Sequence, residues 1–141
     1  TCKVVYDRDG RLAQAKERFS VPYPPQLRDY ILSRGWKLLH GAMPAYDAQL
    51  AKAVKRSDLV SVNHRAAAFL ETYFDFLFAL NESTHPGEKR LIQLCRERCP
   101  VLPAHFEENL ERLFQDLYHA PERVAADVQA IVLELEKIYK P

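Results

Sequence analysis

Cysteine is scarce in this chain. Cys2, Cys95 and Cys99 are too few and too oddly placed among 141 residues for a disulfide framework. Cys95 and Cys99 fall four apart on one predicted helix, and a zinc pair at that spacing would need partners such as His85 or His105. Two ordinary half-buried thiols in a reduced, cytoplasmic protein are the simpler reading, and no metal site is predicted. No apolar run reaches the length of a membrane span, and the start lacks the basic-then-apolar pattern of a signal peptide. Net charge is only +1, which is not the footprint of a duplex nucleic-acid binder. Internal repeats and low-complexity segments are missing as well. So is an initiator Met, since the chain opens on Thr1, which predicts a piece cut from something longer.

What is present suits one soluble domain: 48% hydrophobic residues, 28% charged, and a length that can bury about two-thirds of the unfolded surface. Charge is uneven. Up to Pro103 there are 16 Lys and Arg against 11 Asp and Glu, and beyond it 4 against 8, so an anion-binding face belongs in the first two-thirds.

Val4 to Tyr6 reads as a short β-like run, closed by an Asp7 to Gly10 turn with glycine where positive φ is needed. It has no strand partner in the chain, and a lone strand leaves backbone groups unpaired, so it looks like the trailing strand of an absent sheet. Everything after it is helical in pattern. Prolines stand where helices could begin, at Pro25, Pro44, Pro103 and Pro121. Helices are expected over Arg11 to Arg18, Pro25 to His40, Pro44 to Lys55, Ser57 to Leu80, Glu88 to Arg98, Pro103 to Tyr118, and Pro121 to Tyr139. Asp58 supplies a cap for the longest, in which Leu59, Val62, Ala66, Phe69, Leu70, Tyr73, Phe74, Leu77 and Phe78 are apolar almost all round. That marks a central helix enclosed by the others. Val124, Val128, Ile131, Leu135 and Ile138 give the last helix one apolar face, laid against the outside. The fold class is all-α: an antiparallel bundle of six to seven helices, residues 11 to 141, preceded by a short orphan strand and turn, residues 1 to 10.

Four constellations bear on chemistry. Asp7 and Asp9 have the spacing of a paired-carboxylate metal site but lack a third ligand, and a turn explains them better. An Arg and His pair on one helix would suit RNA cleavage; Arg98 and His105 have six residues between them, yet Pro100 and Pro103 break the helix, and Arg56 and His64 point about a quarter turn apart. On the central helix, Asp58, Asn63, His64, Arg65, Glu71 and Asp75 form either a solvated stripe or the wall of a polar cleft. In the cleft, Glu71 or Asp75 would meet a cationic or hydroxylated ligand and His64 would donate to it. The last is the segment from Phe78 to Arg90, where an aromatic helix stops at Asn81 and Lys89 and Arg90 open the next. Cations in a first turn oppose the helix dipole by a few tenths of a kcal/mol. Either Glu88 offsets them, or a phosphate binds to the free N–H groups and the two cations.

The segments Val5 to Leu12, Arg56 to Asp58 with His64, and Phe78 to Arg90 resemble an uncharacterised helical domain that follows polymerase-beta-type nucleotidyltransferase modules. The resemblance covers most of the chain. In that family the preceding module carries a Gly-Ser loop, a paired Asp and a third carboxylate that hold Mg and a nucleoside triphosphate, and none of these is in this chain. It implies that Val4 to Tyr6 is the last strand of that module. It also implies a helical domain that closes over the active site, with Asp58 and His64 in the cleft and Asn81, Lys89 and Arg90 toward nucleotide phosphates. The expected function is thus a substrate- or nucleotide-binding module with no catalytic residue or cofactor of its own. The parent would transfer a nucleoside monophosphate to a hydroxyl of a small or macromolecular acceptor. A structural or homodimerising bundle is the alternative, and an RNA-cleaving bundle the third.

Overall fold

A computed structural model describes residues 4–140. These form seven α-helices: α1 Arg11–Phe19, α2 Pro25–Leu39, α3 Tyr46–Lys55, α4 Leu59–Leu80, α5 Leu91–Arg98, α6 Phe106–His119 and α7 Val124–Ile138, the last entered through a 3-10 turn at Pro121–Arg123. No strand occurs among the described residues, which corrects the expectation for Val4 to Tyr6; Cys2 and Lys3 lie outside them. The physical reason is the one that made the run look orphaned. Without a neighbouring strand its backbone groups are best satisfied by water, and Val5 is 92% exposed. The turn behind it forms as read. Gly10 adopts φ 68°, its N–H reaches the Asp7 carbonyl, and the Asp7 carboxylate accepts from the Ala13 N–H at 2.9 Å.

Two helix starts lie later than the prolines suggested, and a third later than its expected first residue, Glu88. Pro44 sits in the turn before α3, after a cis Met43–Pro44 bond, and Pro103 is buried in the loop before α6, which His105 opens with φ 55°. The third late start, at α5, matters for the site. Asp58 caps α4, accepting from the Ser61 N–H at 3.1 Å and the Ser61 hydroxyl at 2.6 Å. These two donors hold its carboxyl below the usual carboxylate range.

The core is built on α4. Val62, Ala66, Phe69, Tyr73, Phe74, Phe76, Leu77, Phe78 and Ala79 are all buried. Helices α2 and α3 pack along it, α5 meets it near its end, and α7 packs on α3 and α6. Two groups of rings fill the interior. Phe69, Tyr73, Phe74 and Phe106 stack or meet edge to face, and Trp36, Phe76 and Tyr139 do the same on the other side. Val124, Val128, Ile131 and Leu135 of α7 are buried, as their spacing predicted. By contrast α1 buries none of its residues.

Gly35 sets how closely α2 approaches α4. A Cβ added there would lie 3.1 Å from Cδ2 of Phe76, a fully buried ring held by Tyr139 at 4.9 Å between centroids. That ring has little room to yield, so overpacking outweighs the gain in helix propensity. Gly35→Val is expected to destabilise the protein by about 1–3 kcal/mol. The check is a lower urea midpoint with an unchanged slope.

Candidate functional site

With the apolar positions of α4 turned inward, its polar residues divide between the two ends of the helix. Asp58 is spent as the cap, Asn63 donates from its side-chain amide to the Leu59 carbonyl at 2.9 Å, and His64 is exposed. None of these three reaches the cleft expected for Asp58 and His64. Glu71 and Asp75, one turn apart, do line a cleft. It lies between α2 and α4, has a volume of about 270 Å³, and is walled by Tyr30, Arg34, Tyr46 and Thr72 over Ile31 and Leu38. Arg34 donates to the Tyr30 hydroxyl at 3.0 Å. Two carboxylates, one guanidinium and three hydroxyl-bearing side chains thus face one concavity with an apolar floor.

Asp75 also ties the cleft to the loop that follows α4. Nε2 of His85 lies 3.7 Å from Oδ1 of Asp75, while Nδ1 of His85 accepts the Gly87 N–H at 3.2 Å. An accepting Nδ1 places the ring proton on Nε2, toward the carboxylate. The imidazole stands edge-on to Phe78 with centroids 5.2 Å apart, and Glu82 pairs with Arg28 of α2 at 3.6 Å. Tyr23 is close enough that its own burial, and then the Asp75 charge, push its phenol pKa up. Residues 82–87 are therefore fastened to the rim of the cleft from both sides.

Lys89 and Arg90 need a correction. They do not stand in a first helical turn: α5 begins at Leu91, Arg90 occupies the position before it with φ 56°, and Lys89 precedes that. The chain reaches α5 through left-handed residues at Gly87 and Arg90, which an uninterrupted helix from Glu88 could not contain. Both cations are exposed, neither forms an ion pair among the described residues, and no side chain caps α5. The opposition to the helix dipole is thus weaker than a first-turn placement implied.

Asn81 does end α4, but its side chain is fully engaged. Its amide nitrogen donates to the carbonyls of Leu77 at 2.8 Å and Val101 at 2.9 Å, and its oxygen accepts the Val101 N–H at 2.8 Å. This clamps the segment after α5 to the end of α4 and leaves nothing for a phosphate.

The other constellations resolve simply. Among the described residues no group of His, Cys, Asp or Glu could hold a metal ion. Arg98 ends α5 and His105 precedes α6, where it meets Glu108 at 2.9 Å, so the prolines do separate that pair. Arg56 pairs weakly with Asp58 at 3.9 Å. Cys95 and Cys99 are both buried, and burial, followed by the neighbouring sulfur, pushes the Cys95 thiol up to about 12. A thiol so poorly ionised is a core side chain.

Sequence reading missed Tyr23, Tyr30, Arg34 and Tyr46, and named His85 only as a possible zinc partner. The spacing of Tyr30 and Arg34, four apart on a helix preceding the central one, was the available signal. It also missed a buried polar contact between α6 and α7. There Arg112 donates to Asp127 at 3.1 Å and to Asn109 at 2.6 Å. Burial, and then Asp116, raise the Asp127 carboxyl pKa against the pull of Arg112.

The geometry falls within a recognised family. Residues 1–91 match the family described as a domain of unknown function (DUF4037), and the chain belongs to it. The matched stretch takes in the α2–α4 cleft and the loop to Arg90 and ends at the first residue of α5. No curated protein and no solved structure matches the chain.

Replacing Asn81 by Ala is expected to cost about 0.5–1.5 kcal/mol, because the exposed Val101 groups exchange their partner for water. Chemical denaturation would measure this. A change below a few tenths would return Asn81 to the list of ligand contacts.

Proposed function

We propose that this chain is the ligand-binding helical part of a nucleotidyltransferase-like protein. Its α2–α4 cleft receives a cationic, hydroxyl-bearing acceptor, and Lys89 and Arg90 contact the phosphates of a nucleotide. The observation that carries this reading is the convergence of Glu71, Asp75, Tyr30, Tyr46 and Thr72 on one cleft whose rim is tied through His85 to the loop bearing both cations. Carboxylates attract an ammonium group, and phenol and threonine hydroxyls exchange hydrogen bonds with a polyol. Exposed cations beside an uncapped helix start meet phosphate oxygens.

In this reading the chain binds and orients but supplies no catalytic group. A preceding module would hold Mg and the nucleoside triphosphate and transfer a nucleoside monophosphate to the acceptor hydroxyl. The test has two arms. Titration with ATP and magnesium is expected to shift amide resonances from Gly87 to Leu91, with affinity lowered about tenfold in a Lys89→Ala, Arg90→Ala double variant of unchanged stability. An amino sugar such as glucosamine is expected to shift Tyr30, Glu71 and Asp75, an effect lost in Asp75→Asn. Absence of both responses at millimolar ligand would sink the proposal.

A structural or homodimerising role is the second reading, and one observation favours it. Val5, Tyr6, Leu12 and Phe19 are exposed around an apolar groove of about 510 Å³ on α1. If two copies meet there, sedimentation velocity at tens of micromolar should give a dimer that Leu12→Glu and Phe19→Glu convert to monomer. A monomer at every concentration would discard this reading.

A further inference from the structure

The corner between α3 and α4 gathers positive charge that the fold neutralises only in part. Between Ala48 and Leu70 the chain has four cations, Lys52, Lys55, Arg56 and Arg65, against the single carboxylate Asp58. Three of the four, Lys52, Arg56 and Arg65, line one cavity of about 140 Å³ beside Ser61. Asp58 does little to neutralise them: it is held by both Ser61 donors and meets only Arg56, at 3.9 Å. Lys52 and Arg65 form no ion pair among the described residues.

Helix electrostatics explain part of this arrangement. Lys52 and Lys55 fall in the last turn of α3, where cations are favoured. Arg65 lies beyond the first turn of α4, where neither helix end accounts for a cation. Like charges around a concave surface raise the local potential, and an anion seated among them relieves the repulsion. Two guanidinium groups and an ammonium are the donors that phosphate oxygens take, the first two in bidentate geometry.

We propose that Lys52, Arg56 and Arg65 form a binding site for a single doubly charged phosphate group. The cavity has about half the volume of the α2–α4 cleft, which suits one phosphate rather than a base and sugar as well. It is separate from the loop at Lys89 and Arg90. Arg65 and Asp75 are ten residues apart on α4, about 15 Å along the helix axis. The site stands or falls independently of the nucleotidyltransferase reading.

The probe is inorganic phosphate, titrated into the full chain while sodium chloride is lowered to hold ionic strength constant. Saturable amide shifts confined to residues 49–65 are expected. Lys52→Ala and Arg65→Ala should each weaken binding about tenfold. The Lys89→Ala, Arg90→Ala variant should bind phosphate as the parent does, which separates this site from the other. All three cations are exposed, so the variants keep the fold, and a thermal melt confirms it. A parallel titration with AMP identifies the source: tighter binding than phosphate means a nucleotide, and equal binding means free phosphate. Shifts that do not saturate, that spread over every Lys and Arg, or that survive in the Lys52→Ala, Arg65→Ala double variant would overturn the site.

Discussion

The enclosure of α4 is the constraint from which the rest of the structure follows. From Tyr73 to Ala79 only Asp75 escapes burial, because α2, α3 and the segments around α5 and α6 leave almost no open side. An ionised carboxylate in such surroundings would need a partner or water, since burying it alone costs several kcal/mol. Asp75 and Glu71 therefore face a gap that packing leaves along this part of α4, the seam with α2. Gly35 brings the α2 backbone against Phe76, and Tyr30 and Arg34 wall the opening above. The polar cleft is what remains when the aromatic core has taken its space.

The end of α4 is fixed by a different kind of force. Hydrophobic burial does not specify how a chain leaves a helix, but directional hydrogen bonds do. Asn81 fastens residue 101 to the last turn, and the His85 ring, set on Phe78, turns the loop back toward Asp75. Side chains of ordinary polarity thus tie the loop to Asp75 of α4 and Arg28 of α2. Lys89 and Arg90 stand outside this framework, free to meet solvent or a ligand.

Periodicity made the helices legible. The central helix, its Asp58 cap and the inner face of α7 were all written in apolar spacing and capping chemistry, which act within a few residues of one another. The polar stripe was legible as a stripe, and two of its six residues, Glu71 and Asp75, line the cleft. Which of them meet a neighbour was not legible, because facing the same side of a helix says nothing about what stands opposite: α2 lies over Glu71 and Asp75, while His64 is exposed. Asn81 was unreadable for the same reason, its partner being twenty residues away. At Lys89 and Arg90 the error was local. A helix was expected from Glu88, whereas the chain passes through left-handed residues at Gly87 and Arg90 before α5 can start. A non-glycine residue at positive φ carries no reliable sequence mark.

The family match ends at residue 91, yet the core does not. Phe106, at the start of α6, packs its ring on Tyr73 and Phe74 of α4, and α7 packs on both α3 and α6. Without Phe106 the rings of Tyr73 and Phe74 would lose that cover, and a large apolar side chain opened to water forfeits about 1.5–3 kcal/mol. Domain stability is only about 5–15 kcal/mol, so such losses are a substantial share of it. The matched stretch therefore holds the cleft and its loop, while the remaining fifty residues hold them in shape. Asn81 joins the two parts directly, since it lies within the match and its partner Val101 lies beyond it.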